Sequence, residues 1–314
     1  MTGSSPAPLA VTMGEPAGIG GEIALKAWTR RAEGLAPFFI IDDPARLQSL
    51  ARNLGLAAPI KVIERPGEAA AIFVSALPVL KTSLAADTVP GKPEPANAEA
   101  VMAAIETAVR LTMDGEAGAV VTNPIHKSTL YNAGFSYPGH TEFLAALSGI
   151  DKAPVMMLAA DDLRVVPVTI HESLRDATKI LNTGLITQAG LVTAAALEAD
   201  FAISRPRLAV AGLNPHAGED GAMGSEEAEI IRPAVEALRD AGIEAFGPVP
   251  ADTLFTPRKR ETFDAALCMY HDQALIPIKA LAFDRAVNVT LGLAFVRTSP
   301  DHGTALDIAG TGTA

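Results

Sequence analysis

The chain has 314 residues, 49% of them hydrophobic and 19% charged, enough apolar material for two ordinary domains or one large α/β unit. Its formal net charge of −11 argues against nucleic acid or an anionic membrane as partner, although local cations still permit an anionic substrate. The one cysteine, Cys268, excludes an intrachain disulfide and fits a reducing cytoplasm, no apolar run nears the ~20 residues of a membrane span, and MTGSSPAPLAV has no signal-peptide pattern.

In chain order, strand-like and helix-like segments alternate. Leu9–Met13 is a short apolar strand, followed by the turn Gly14–Gly20 (GEPAGIG) and a helix through Trp28. Pro37–Ile41 is a second strand, leading into a helix near Ala45–Leu54. Glu94–Met113 is Ala-rich and helical in period, and Ala117–Val121 is a strand ending at Thr122-Asn-Pro. Gly139–Ser148, Thr183–Glu198 and Ser225–Ala241 read as helices. Such alternation implies βαβ units and a largely parallel sheet. Parallel strands are buried on both faces, which accounts for uninterrupted runs such as VMMLAA at 155–160. Cys268 lies in such a run and reads as a packed core thiol. Pro/Gly-rich stretches fall at Val89–Pro95 and Gly212–Gly224, the second reading as a functional loop.

Three of the six histidines follow strand-like runs. Leu163–Ile170 leads to His171, Leu208–Leu213 leads through Asn214-Pro215 to His216, and Ala265–Tyr270 leads to His271. Ligands of open α/β sheets bind beyond the carboxyl ends of strands, where three imidazoles can converge on a divalent metal with open positions. The bland alternative is that each histidine merely caps a strand. In YPGHTE (137–142), His140 and Thr141 fall in the first turn of a helix and form a candidate phosphate cradle, unless Thr141 only caps that helix. Lys279, Asn288 and Arg297 are polar groups inside apolar segments, so they need partners. A phosphate or carboxylate meets that need, as do ion pairs with Asp284 or Asp301. Gly14 opens a glycine turn that could hold an anion, although GEPAGIG is not a GxGxxG fingerprint. The Asp42-Asp43 pair after the second strand does not repair that spacing.

The segments GEPAGIG, VTNPIHK, YPGHTEF, GLNPHAGEDGAMGSEE, PADTLF, MYHDQALIPIK and VNVTLGLAFVRTSPDHGTAL together resemble the 4-hydroxythreonine-4-phosphate dehydrogenase family of vitamin B6 biosynthesis, from end to end. The loop Ser299–Gly312 is also similar to the HGSAPDIAGKG loop of isopropylmalate and isocitrate dehydrogenases, which contacts the cofactor's adenosine. The resemblance implies an α/β fold of two α/β/α lobes of isocitrate/isopropylmalate dehydrogenase-like type with a cleft between them. The implied lobes are residues 1–139 plus 285–314, and residues 140–284 with the metal ligands. It also implies a cytoplasmic homodimer.

His171, His216 and His271 match the ligands of a divalent metal (Zn2+, Mg2+ or Co2+) shared between subunits. His140, Thr141, Lys279, Asn288 and Arg297 match substrate-binding positions, and Asp252 is placed near the metal. Gly14, His302, Gly303, Thr304 and Asp307 are the implied cofactor positions. The implied reaction is oxidation of 4-phosphooxy-L-threonine at C3 by NAD or NADP, followed by decarboxylation to 3-amino-2-oxopropyl phosphate. In it the metal acts as Lewis acid on the C3 oxygen, and Lys279 is the candidate for proton transfer unless it only binds an anion. A paralogous dehydrogenase of 4-phospho-threonate or 4-phospho-erythronate fits the same residues. A metal-dependent phosphohydrolase without redox chemistry is the rival of a different class. Family members usually continue past the final Gly-Thr-Gly with a helix, whereas this sequence ends at Ala314, so the cofactor loop is expected to lack that support.

Overall fold

The computed structural model describes residues 6–137, 139–150 and 153–314. The chain divides into two compact units, Met1–Asp151 with Leu293–Ala314, and Lys152–Gly292. The division therefore falls later than the 139/140 and 284/285 boundaries implied by resemblance, and local packing explains why. Phe143 and Leu144 of the His140–Ser148 helix belong to the first unit's core with Val120, Leu130 and Phe135. Strand Val287–Leu291 is laddered to Val155–Ala160 of the second unit.

The first unit holds β1 (Leu9–Thr12), β2 (Phe38–Asp42), β3 (Ile60–Ile63), β4 (Leu77–Lys81), β5 (Val120–Val121) and the late strand β12 (Arg297–Pro300). They form a parallel sheet in the order β3-β4-β2-β1-β5-β12. Every residue of β2 is buried, because successive side chains enter opposite cores. Phe38 and Ile40 meet Leu25, Trp28 and Leu47 from the helices Gly20–Thr29 and Pro44–Asn53. Phe39 and Ile41 meet Val101 and Ile105 from the helix Ala98–Met113. Each such side chain contributes about 1.5–3 kcal/mol by burial.

Asp42, the last residue of β2, and Asp43 after it are both engaged structurally. Asp43 caps the Pro44–Asn53 helix by accepting from the Ala45 and Arg46 N–H groups at 2.8 and 3.0 Å. Asp42 is buried and accepts from Arg46 Nε and Nη2 at 3.0 and 2.6 Å. Arg46 in turn donates to Pro16 O at 2.9 Å, tying down the glycine turn.

The second unit contains β6 (Val155–Ala160), β7 (Leu163–Pro167), β8 (Arg207–Ala211), β9 (Glu244–Val249), β10 (Ala265–Cys268) and β11 (Val287–Leu291), ordered β11-β6-β7-β10-β8-β9. β7, β10, β8 and β9 are parallel neighbours. β6 is antiparallel to both β7 and β11. The VMMLAA run is thus not a parallel strand. It is uninterrupted because both faces are covered, Met157 and Ala159 facing one core and Leu158 the other. The same two-sided burial holds in β8 and β10, where Cys268 is a fully buried core thiol whose pKa burial raises. Among the described residues no single helix is long and apolar enough to cross a membrane.

Candidate active site

In the first unit the carboxyl ends of β5 and β12 open into a cavity of about 190 Å³ lined by Thr122, Lys127, His140, Arg297, Ser299 and His302 among others. Arg297 is 4% exposed and Thr122 1%. The Arg297 guanidinium donates from both Nε and Nη2 to Thr122 Oγ1, at 3.1 and 2.5 Å. Burial lowers its pKa to about 10. It therefore remains cationic at neutral pH, with one edge of its fork fixed by the Thr122 hydroxyl.

His140 begins the helix His140–Ser148. Its N-cap is Gly139, in extended backbone at φ −173°, with no side-chain cap. Thr141 therefore does not cap the helix, and the first-turn N–H groups keep their partial positive charge. Pro138 lies outside the described residues. The His140 ring nitrogen Nε2 is sealed from solvent without a hydrogen-bond partner. Burial, then the neighbouring charges of Arg297 and Lys127, push the imidazole down to about 3. A neutral imidazole, two cations, a hydroxyl and a helix N-terminus are the equipment for holding an anion.

The metal-type histidines lie in the second unit, but not directly at strand ends. Val168–Ile170, Gly212–Pro215 and Met269–Tyr270 intervene. His171 and His271 line one pocket with Glu172, Tyr270 and Asp272, their ring centroids 6.4 Å apart. His271 Nδ1 is hydrogen-bonded to Asp272 Oδ1 at 2.7 Å, the outer partner that leaves Nε2 as ligand atom. An imidazole so held is the donor type a divalent ion takes.

His216 is exposed and not gathered with them. Among the described residues no group of three potential ligands is assembled. It sits in the turn Pro215–Gly221, where His216, Ala217, Glu219 and Asp220 all have φ between 42° and 55°. Left-handed backbone at non-glycine residues costs of order 1–3 kcal/mol each and persists where surroundings enforce it. Asp252 is exposed on the Ala251–Leu254 helix, which packs against that turn. Lys279 is half-buried on the helix His271–Ala282. Asn288 lies on β11 with its Oδ1 buried and unpartnered. Lys279 and Asn288 thus belong to one unit and Arg297 to the other, rather than to one continuous segment.

The loop Ser299–Gly312 is anchored where the Ile19 N–H donates to Thr304 O at 3.1 Å. His302 and Gly303 are exposed and line the same cavity as Arg297, and a side chain at Gly303 would meet nothing within 4 Å. Asp307 is exposed as well. Gly14 differs. It is buried at φ +67°, and a Cβ there would lie 2.6 Å from Pro124 O and 2.7 Å from Asn123 Cβ. The structure thus shows a packing reason for glycine at this position. The last residues are held too, since the Ala314 N–H donates to Glu22 Oε1 at 3.1 Å and Lys26 Nζ donates to Gly312 O at 2.9 Å.

The profile of the pyridoxal phosphate biosynthetic protein PdxA matches residues 34–314. The chain belongs to the PdxA family. A 4-hydroxythreonine-4-phosphate dehydrogenase of Bradyrhizobium diazoefficiens is 55% identical, covering 98% of this chain and 92% of the relative. One of Erythrobacter litoralis is 54% identical over the same shares. The crystal structure of a 4-hydroxythreonine-4-phosphate dehydrogenase from Klebsiella pneumoniae superposes with a TM-score of 0.89 at 38% identity, over 98% of this chain and 94% of that one. A terephthalate 1,2-cis-dihydrodiol dehydrogenase from Burkholderia xenovorans is more distant, at TM-score 0.66 and 30% identity over 99% and 94%. Within this PdxA chain, sequence reasoning reached His140, Thr141 and Arg297 but passed over Thr122, Lys127 and Ser299. The available signal for Thr122 and Ser299 was their position at the ends of β5 and β12, where sheet ligands collect; Lys127 instead opens the helix Lys127–Asn132.

Proposed function

We propose that this chain oxidises the C3 hydroxyl of 4-phosphooxy-L-threonine with NAD or NADP, and that the 3-oxo acid formed loses CO2 to give 3-amino-2-oxopropyl phosphate. The observation that carries this reading, within a family whose relatives bear that activity's name, is the buried Arg297 fork opening on a cavity shared with Lys127 and neutral His140. Such a cavity suits a phosphate, with the Arg297 and Lys127 charges on one side and the His140–Thr141 helix turn on the other. Phosphate binding remote from C3 then orients the reacting carbon.

His171, His216 and His271 would hold a divalent ion, which supplies Lewis-acid polarisation at the C3 oxygen. His302, Gly303, Thr304 and Asp307 would hold the nicotinamide cofactor, which accepts the C3 hydride. Asn288 and Lys279 orient the substrate's polar groups. Lys279 is the candidate to take the C3 hydroxyl proton, with Asp252 as the neighbouring carboxylate. We also propose a homodimer in which His271 completes the site of the partner subunit. In support, the helix that begins at His271 leaves Ile276 65%, Leu281 47% and the following Phe283 78% exposed. The single cysteine, buried in β10, accords with a reducing cytoplasm.

The test is nicotinamide absorbance on turnover, with 4-phosphooxy-L-threonine, 4-phospho-threonate and 4-phospho-erythronate each offered with NAD and with NADP. The highest kcat/KM is expected for 4-phosphooxy-L-threonine. A higher value for either of the others reassigns the substrate, and no cofactor reduction with any of them refutes the dehydrogenase reading.

A further inference from the structure

A buried chain of hydrogen bonds joins the three histidine-bearing segments of the second unit. Thr169, two residues before His171, donates its hydroxyl to Met269 O at 2.8 Å. The Met269 N–H, two residues before His271, donates to Gln273 Oε1 at 2.6 Å. Gln273 Nε2 donates to Gly212 O at 2.7 Å, at the head of the loop that carries His216. Thr169, Met269 and Gln273 are all buried, at 4%, 1% and 7% exposure. A primary amide offers one acceptor side and one donor side, and here an N–H and a carbonyl face it, so both needs are met in one orientation only. The far side of the loop is fixed by Glu227, 3% exposed, which accepts from the Leu213 and Asn214 N–H groups at 2.8 and 2.7 Å.

The main-chain ladders do not explain this arrangement. β10 pairs with β8 up to Leu267↔Val210 and with β7 up to Cys268↔Pro167. Gln273 acts past the point where the β10–β8 ladder stops, in the irregular backbone that aims His216 and His271. It sits in the first turn of the helix His271–Ala282, whose N-cap Tyr270 makes no side-chain bond. Glutamine at that place in a helix characteristically reaches back to main chain before it.

We propose that Gln273 is a positioning residue for the metal site, setting the spacing of the segments that carry His216 and His271, with Thr169 setting that of His171. The inference rests on the reading of these histidines as metal ligands. It holds whether the three ligands of one ion come from one chain or two, since every site needs both loops correctly shaped.

The test uses the full chain stripped of metal and titrated with Co2+, reading the visible absorption spectrum, the Kd and the thermal midpoint of the metal-free form. Wild type and His216→Ala come first. If wild type binds no Co2+, or His216→Ala binds it equally well, the metal reading itself fails regardless of Gln273. If they differ as expected, Gln273→Leu should weaken Co2+ binding about tenfold, the lower end of what losing a group that orients metal ligands costs, and alter the spectrum. Gln273→Glu keeps the acceptor and loses the donor to Gly212 O, so it should fall between. Thr193→Val removes another buried hydroxyl, bonded to Ala189 O within its own helix, and should lower the thermal midpoint without moving Kd or spectrum. Should Gln273→Leu not fold, Gln273→Glu and Thr169→Val decide. Wild-type Kd and spectrum in the folded Gln273 and Thr169 variants, or losses no larger than in Thr193→Val, overturn the proposal.

Discussion

His140 offers a quantitative test of the anion cavity through protein stability alone. Its imidazole is held down to about 3 in the folded chain, chiefly by burial, with Arg297 and Lys127 adding to it. In the unfolded chain it titrates near 6.5. Below that value the unfolded state binds a proton that the folded state refuses, so acid destabilises the fold through this group. The penalty is negligible at pH 7.5 and grows as pH falls from 6.5 toward 3. At pH 4.5 the gap is about two pH units below the unfolded value, and at 1.36 kcal/mol per unit the penalty is about 2.7 kcal/mol. His140→Gln removes the titration while keeping a neutral polar side chain. Urea unfolding of wild type and His140→Gln at pH 7.5 and 4.5 should show wild type losing about 2.5 kcal/mol relative to the variant over that interval. The His140 ring proton resonance should also stay unshifted over the same range. Parallel stability profiles, or a resonance that titrates near 6, would show that the ring is hydrated and the cavity is not the desolvated anion site described.

Arg297→Ala should lower kcat/KM for the phosphorylated substrate by about 2–5 kcal/mol, as for loss of a buried charge partner, and hardly change it for the unphosphorylated one; an equal loss for both assigns Arg297 to the carboxylate or to structure. Exhaustive chelation should abolish turnover, with Zn2+, Co2+ or Mg2+ restoring it, and full activity in protein shown metal-free by elemental analysis would refute a metal role. A bulky residue at Gly303 meets open space within the chain, so it should fold normally and raise the KM for NAD or NADP more than that for substrate; movement of substrate KM alone places the loop elsewhere. Mixing His171→Ala and His271→Ala homodimers with subunit exchange should restore roughly a quarter of wild-type activity if each ion draws ligands from both chains, and none if one chain supplies all three.

The alternation of apolar runs with helical periods was enough to read an α/β architecture built on a largely parallel sheet, while the two lobes came only from the family resemblance. Each buried strand such as β2 must fill a core on both faces, and that need is written directly into FFII. Family membership was equally legible, because segments such as YPGHTEF and MYHDQALIPIK combine residue types that packing alone does not demand. Strand direction was not legible. VMMLAA is buried on both faces in either orientation, and only its pairing with β7 and β11 made it antiparallel. Nor could the sequence tell Gly14 from Gly303. Both are glycines in loops, but one is filled by the backbone of Asn123 and Pro124 and the other faces open space. Thr122 and Gln273 lie inside the segments VTNPIHK and MYHDQALIPIK, but nothing in those segments says what either side chain bonds. Their roles exist only because folding brings Thr122 Oγ1 to Arg297, 175 residues away, and Gln273 to Gly212, 61 residues away. Hydrogen bonds that depend on tertiary closeness leave no periodicity in the chain, so the side chains that aim a site are decided by the fold, while those that fill its core are declared in the sequence.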